Sequence, residues 1–183
     1  MTLHRGRRIA TATLFGVIIF VSKIVLPTPI DKMVVVVQAL LLALGFLLLG
    51  RLGATFVAVV GGLLSVLLRI SFAHFTIFFA LLYGLMVDVS SYFFRVKSPD
   101  GGVRKSRMMA SITLSTAFVG LSSYYVTVYI LNLLPRNPIL EISILAAGII
   151  NGLVGGYLAT LMWKKYPSLF LREDLQNENA SNS

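Results

Sequence analysis

The chain has 183 residues, of which 57% are hydrophobic and 13% charged, with a mean hydropathy of +0.87. Soluble domains are closer to half apolar and a quarter charged, so most of this chain is expected to lie in lipid. The net charge of +9 fits basic cytoplasmic loops better than nucleic-acid binding. The absence of cysteine excludes disulfides, thiolate nucleophiles and zinc–sulfur sites.

A spanning helix needs about 20 mostly apolar residues. Six stretches qualify: 9–26, 33–50, 52–70, 72–94, 108–134 and 139–163. The first lacks a small-residue cleavage site and is read as a retained span, not a signal peptide. Pro27 and Pro29 close it, and Pro135 and Pro138 separate the last two; proline ends helices and favours turns. The joint Gly50-Arg51-Leu52-Gly53 is so short that the second and third spans must form an antiparallel hairpin. "RVKSPDGGVRKSR", from Arg95 to Arg107, is the one long internal loop.

Six spans place both termini on one side. With the N-terminus inside, twelve basic residues fall on the inner side, against Lys23, Lys32, Arg69 and Arg136 outside. The positive-inside rule then puts both termini in the cytoplasm. The expected architecture is an all-α, multi-pass bundle of the plasma membrane over residues 1–166, with a polar, disordered tail over 167–183.

Membrane helices associate by close packing, which small residues permit. Gly148, Gly152 and Gly156 recur at steps of four on the sixth span. Ala54, Ala58, Gly61, Gly62 and Ser65 make a similar stripe on the third. Both stripes are expected to pack within the bundle. Ala12 and Gly16 on the first span offer a stripe that could equally dock another protein.

Polar residues gather toward one leaflet. By the assigned topology, Gln38, Arg69, His74, Tyr125, Tyr129, Asn132, Asn137 and Glu141 lie toward the outer face. They are expected to border an outward-open pocket with aromatic walls and a few polar anchors, suited to a small organic solute. Asp88 stands apart, near the inner end of its span. Its expected role is structural, paired with a basic residue of the inner loop or with a backbone helix end. His74 and Asp88 are 14 residues apart, about 21 Å along a helix, and cannot act as a dyad. No paired acids, Ser–His set, metal motif or phosphate-binding glycine loop occurs, so neither catalysis nor ATP use by the chain itself is expected, and no cofactor or metal.

The run "VVVVQALLLALGFLLLGRLGATFVAVVGGLLSVLL" and the close "LLYGLMVDVSS" resemble the second-to-third and fourth helices of the substrate-binding S components of energy-coupling factor (ECF) vitamin transporters. The resemblance covers roughly residues 9–165. It implies uptake of a vitamin or similar nutrient, an outward ligand pocket, and partners in the form of a transmembrane coupling subunit and ATPase subunits. In that family an Ala-x-x-x-Ala pattern on the first helix docks the coupling subunit. Here Ala12-Thr13-Leu14-Phe15-Gly16 is similar, with glycine for the second alanine. The alternative is a cell-envelope scaffold similar to the rod-shape membrane protein of the MreD type, with no ligand.

Overall fold

The computed structural model describes residues 2–25, 31–67, 73–98, 102–132 and 135–165. It is all-helical: α1 (Thr2–Val25), α2 (Asp31–Leu49), α3 (Gly53–Val66), α4 (Ala73–Phe93), α5 (Lys105–Tyr125), continued by a π-helical turn (Val126–Ile130), and α6 (Pro138–Lys165). These follow the six apolar stretches closely. Arg69, the loop tip 99–101 and the tail from residue 166 lie outside the described residues.

The chain turns where its residues permit it. Gly50 takes φ +75 and Leu52 φ 61 between α2 and α3; glycine occupies the left-handed region at little cost, leucine does not. From α2 onward successive helices run antiparallel, and α2 is the hub, touching α1, α3, α4, α5 and α6. From Ala39 to Leu49, nearly every α2 residue is buried. The apolar sequence of α2 therefore faces protein all round.

Small residues set the spacing elsewhere. On α4, Ala80, Gly84 and Asp88 stand at steps of four against Gly62, Ala58 and Thr55 of α3. A Cβ on Gly84 would stand 2.7 Å from Thr55 Cα. On α6, Gly148, Gly152 and Gly156 meet the backbone of Ala117, Thr113 and Met109 of α5. That triple repeat is the packing motif expected from the sequence. Ala12 and Gly16 are also buried, and a Cβ on Gly16 would stand 2.6 Å from Val60 Cγ1 of α3. The stripe that could have docked a partner is thus buried within the chain, at Gly16 against the third helix. The sequence spacing marked a packing face but not its occupant.

The serines and threonines of α5 form a seam with α4. Ser90 shares hydrogen bonds with Ser111 and Ser115, each 2.8 Å; Ser91 with Ser111, 2.8 Å; and Tyr83 with Thr116, 2.8 Å. Buried hydroxyls left unpaired are costly, so the seam fixes the register of the two helices.

Residues 94–98 and 102–104 are folded onto the bundle end. Lys97 and Val103 pair in an antiparallel bridge, and Val96 and Val103 are buried. Lys97 Nζ donates to Leu47 O, 2.9 Å, and lies 5.4 Å from the Phe46 ring centre. A cation on the last carbonyls of α2 satisfies an orphan acceptor and complements the helix dipole.

Two helical segments, His74–Phe93 and Pro138–Lys165, are long and apolar enough to cross a membrane. Ile9–Ser22, Val35–Leu49 and Gly53–Val66 are apolar but shorter.

Candidate functional site

Four of the eight expected pocket residues come together where α5 meets α6. Tyr124 and Tyr125 end the α-helical part of α5, and their side chains reach the start of α6. Tyr124 OH accepts from Asn137 N and donates to Asn137 O, both at 3.1 Å. Asn137 Oδ1 accepts from Ile139 N at 2.9 Å, capping α6. Tyr125 OH donates to Glu141 Oε1. The Tyr125 and Tyr129 rings stack with centroids 6.0 Å apart and planes 27° apart.

The two rings stand four residues apart, so they share a helix face, with Tyr129 in the π-turn that follows α5. Thr127 Oγ1 donates to Ser123 O, 2.8 Å, and Leu131 N donates to Val126 O, 3.0 Å, closing the wide turn. Such insertions in a helix occur frequently at functional sites. Beyond it Asn132 takes φ 50 and is exposed; asparagine tolerates the left-handed region better than most residues. Tyr125 is 37% exposed and Tyr129 57%, while Glu141 is half-buried. The corner thus offers two aromatic faces and a carboxylate at one end of the molecule, with Asn132 further along the chain.

The remaining residues are elsewhere. Gln38 is half-buried on α2, next to Ala39, whose Cβ meets Gly155 of α6. Glu141 lies 14 residues nearer the start of α6 than Gly155, about 21 Å along its axis. Gln38 is therefore not a wall of the same pocket: α6 extends past α2 toward its own start, so equal depth assigned by sequence does not mean adjacency. His74 is exposed at the start of α4. Arg69 lies outside the described residues.

Asp88 finds the helix end expected as one of its possible partners. Leu52, the residue before α3, has no side-chain oxygen to cap its N–H groups. Asp88 reaches across from α4 instead, its Oδ1 accepting from Ala54 N, 3.1 Å, and its Oδ2 from Thr55 N, 2.8 Å, and Thr55 Oγ1, 2.6 Å. A carboxylate suits the positive end of a helix. Gly84, one turn earlier, lets the two backbones approach closely enough.

Two contributors carried weak sequence signals. Adjacency to Tyr125 is the one sequence signal at Tyr124, and Thr55 sits among small and apolar residues of α3 with nothing in the sequence to single it out. Among the described residues, no group of three or more His, Cys, Asp or Glu could hold a metal ion. No protein-family model, curated protein or solved structure matches the chain.

Proposed function

We propose that the chain is a six-span protein of the plasma membrane, with both termini in the cytoplasm, that binds a small nutrient at its outer mouth. In this proposal it is the substrate-binding subunit of a transporter, energised by separate coupling and ATPase subunits, and performs no catalysis. The membrane placement is supported by exposure. Only 33% and 22% of the two long apolar windows is buried, whereas the core helix of a soluble protein would be mostly covered. Ile139, Ile142 and Val89 are among the exposed apolar residues, at 73, 68 and 60%. The alternating direction of the helices gathers Arg51, Arg95, Arg104, Arg107 and Lys164 at one end, which supports that end as cytoplasmic.

The observation that carries the solute reading is the Tyr125–Tyr129–Glu141 corner. Stacked rings and a half-buried carboxylate at an irregular helix end are costly to leave open, and they match what an oriented small ligand needs. Mass spectrometry of small molecules retained by the detergent-purified protein tests this. Wild type should retain a solute that the Glu141→Gln and Tyr129→Ala variants release. Affinity isolation should recover an ATPase and a membrane coupling protein.

The envelope-scaffold alternative is favoured by one observation, the burial of Ala12 and Gly16, the latter against α3, which takes away the stripe that would dock a coupling subunit. Purified protein that retains no solute and recovers envelope-synthesis proteins instead would establish the scaffold and end the transport proposal.

A further inference from the structure

We propose that the corner where α4 meets α5 binds the phosphate headgroup of an anionic membrane lipid. The inference rests on the membrane placement above and not on the solute. Hydrogen bonds to the end of α4 and the residues after it place three arginines at this corner. Arg95 follows α4 directly, at φ 48, with its N–H on Tyr92 O, 3.0 Å. Arg104 N donates to Val96 O, 3.1 Å, which brings the start of α5 beside Arg95. Arg107 Nη1 donates to Phe94 O, 3.3 Å, spanning the same corner from one turn into α5.

Neighbouring cations are already engaged. Lys97 caps α2 through Leu47 O, and Lys105 Nζ lies 4.2 Å from the centre of the Tyr157 ring. Arg95 and Arg104 are exposed. Among the described residues the one carboxylate near this end is Asp88, which is buried on the N-terminus of α3. The positive field of the corner therefore has no surface acid against it among those residues. Guanidinium groups match phosphate oxygens in pairs, which makes arginine the apt residue for a phosphate partner.

The surroundings choose lipid over other polyanions. Tyr92 and Phe93, the last residues of α4, are 70% and 80% exposed. They sit directly between an apolar helix and the arginines. Aromatic rings at such a boundary mark the headgroup level of a bilayer. A phosphate there would meet the arginines while its acyl chains lay along α4.

The test uses full-length protein in neutral detergent, titrated with short-chain phosphatidylglycerol in mixed micelles. Phosphatidylcholine of equal chain length is the neutral control. Phosphatidylglycerol should raise the unfolding midpoint and remain bound in native mass spectrometry; phosphatidylcholine should do neither. Each arginine removed should weaken binding about fivefold, so an Arg95→Gln, Arg104→Gln, Arg107→Gln triple variant should lose about a hundredfold. The single Arg104→Gln variant should show its fivefold loss even if the triple variant fails to fold. Arg136→Gln, at the opposite end, should leave binding unchanged. Raising the salt should weaken the wild-type interaction. Equal stabilisation by phosphatidylcholine, by inorganic phosphate or by a short DNA duplex would overturn the proposal, as would an Arg104→Gln variant that binds like wild type. Any of these results would overturn it whether or not the outer mouth retains a solute.

Discussion

The α3–α4 and α5–α6 pairs are both antiparallel and both spaced by small residues four apart, yet each leaves its acid in a different setting. Between α3 and α4, Asp88 is buried and accepts three hydrogen bonds from the start of α3. Between α5 and α6, Glu141 is half-buried and accepts from the exposed Tyr125 hydroxyl. An acid whose oxygens are taken by the backbone has a structural task already. An acid at an open helix end, beside stacked rings, retains capacity for something outside the chain. The contrast separates residues that hold the bundle from those that can serve a ligand, and stability measurements can test it.

The largest effect is expected at the glycine repeat of α6. A Cβ on Gly152 would stand 2.4 Å from Thr113 Cα, a backbone atom that cannot step aside. Gly152→Leu should destabilise by about 3 kcal/mol or more, separating α5 from α6. Gly120→Ala is the matched control, because its Cβ would meet only Ile144 Cγ2, at 3.6 Å. Its unfolding midpoint in detergent should stay at or slightly above wild type. If Gly152→Leu proves as mild as Gly120→Ala, the close approach of these helices is wrong.

Asp88→Ala comes next, at about 2–3 kcal/mol. It leaves the Ala54 and Thr55 N–H groups without their acceptors in a site water does not readily reach. Thr55→Val alone should cost about 1 kcal/mol, from the lost hydroxyl bond. The double variant should cost less than the sum, since one contact is counted twice. Strict additivity in denaturant or thermal unfolding would mean that Asp88 and Thr55 do not interact. In the α4–α5 seam, Ser111→Ala should cost about 1 kcal/mol, nearer the ordinary value for a single hydrogen bond.

Helix positions were legible in the sequence because proline and glycine punctuate the apolar runs. The triple glycine step on α6 was legible for a similar reason: three small residues at one spacing mark a face whatever it meets. What a face meets was not legible. Ala12 and Gly16 carry the same signal as the α6 repeat, and only the three-dimensional arrangement shows both buried, Gly16 against α3. Asp88 was recognisably structural, since a lone acid in an apolar run needs a partner. Naming Thr55, 33 residues earlier, requires the register between α3 and α4, which Gly84 and Ala80 set through contacts that periodicity does not encode. Gln38 shows the same limit from the other side. Counting residues from the helix ends puts it level with Glu141, but α2 and α6 meet at Gly155, and the offset removes it from the Tyr125–Glu141 corner.

The smallest stability effect is expected at the residue that matters most for the proposed function. Glu141→Gln keeps an acceptor for the Tyr125 hydroxyl and removes only the charge, at an open site where water replaces whatever is lost. Tyr124, not Tyr125, fastens α6 to α5 here, through both main-chain groups of Asn137. The unfolding midpoint of Glu141→Gln should therefore match wild type, and that of Tyr125→Phe should lie close to it, while the solute retained on purification is lost from the first. Asp88→Asn should show the reverse pattern, with a lower midpoint and an undiminished solute signal in the fraction that folds. If Glu141→Gln instead destabilises as much as Asp88→Asn, the Tyr125–Glu141 bond is a latch between helices like the Asp88 cap. The outer corner then has no acid to spare for a ligand, and the case for solute binding loses the observation that carries it.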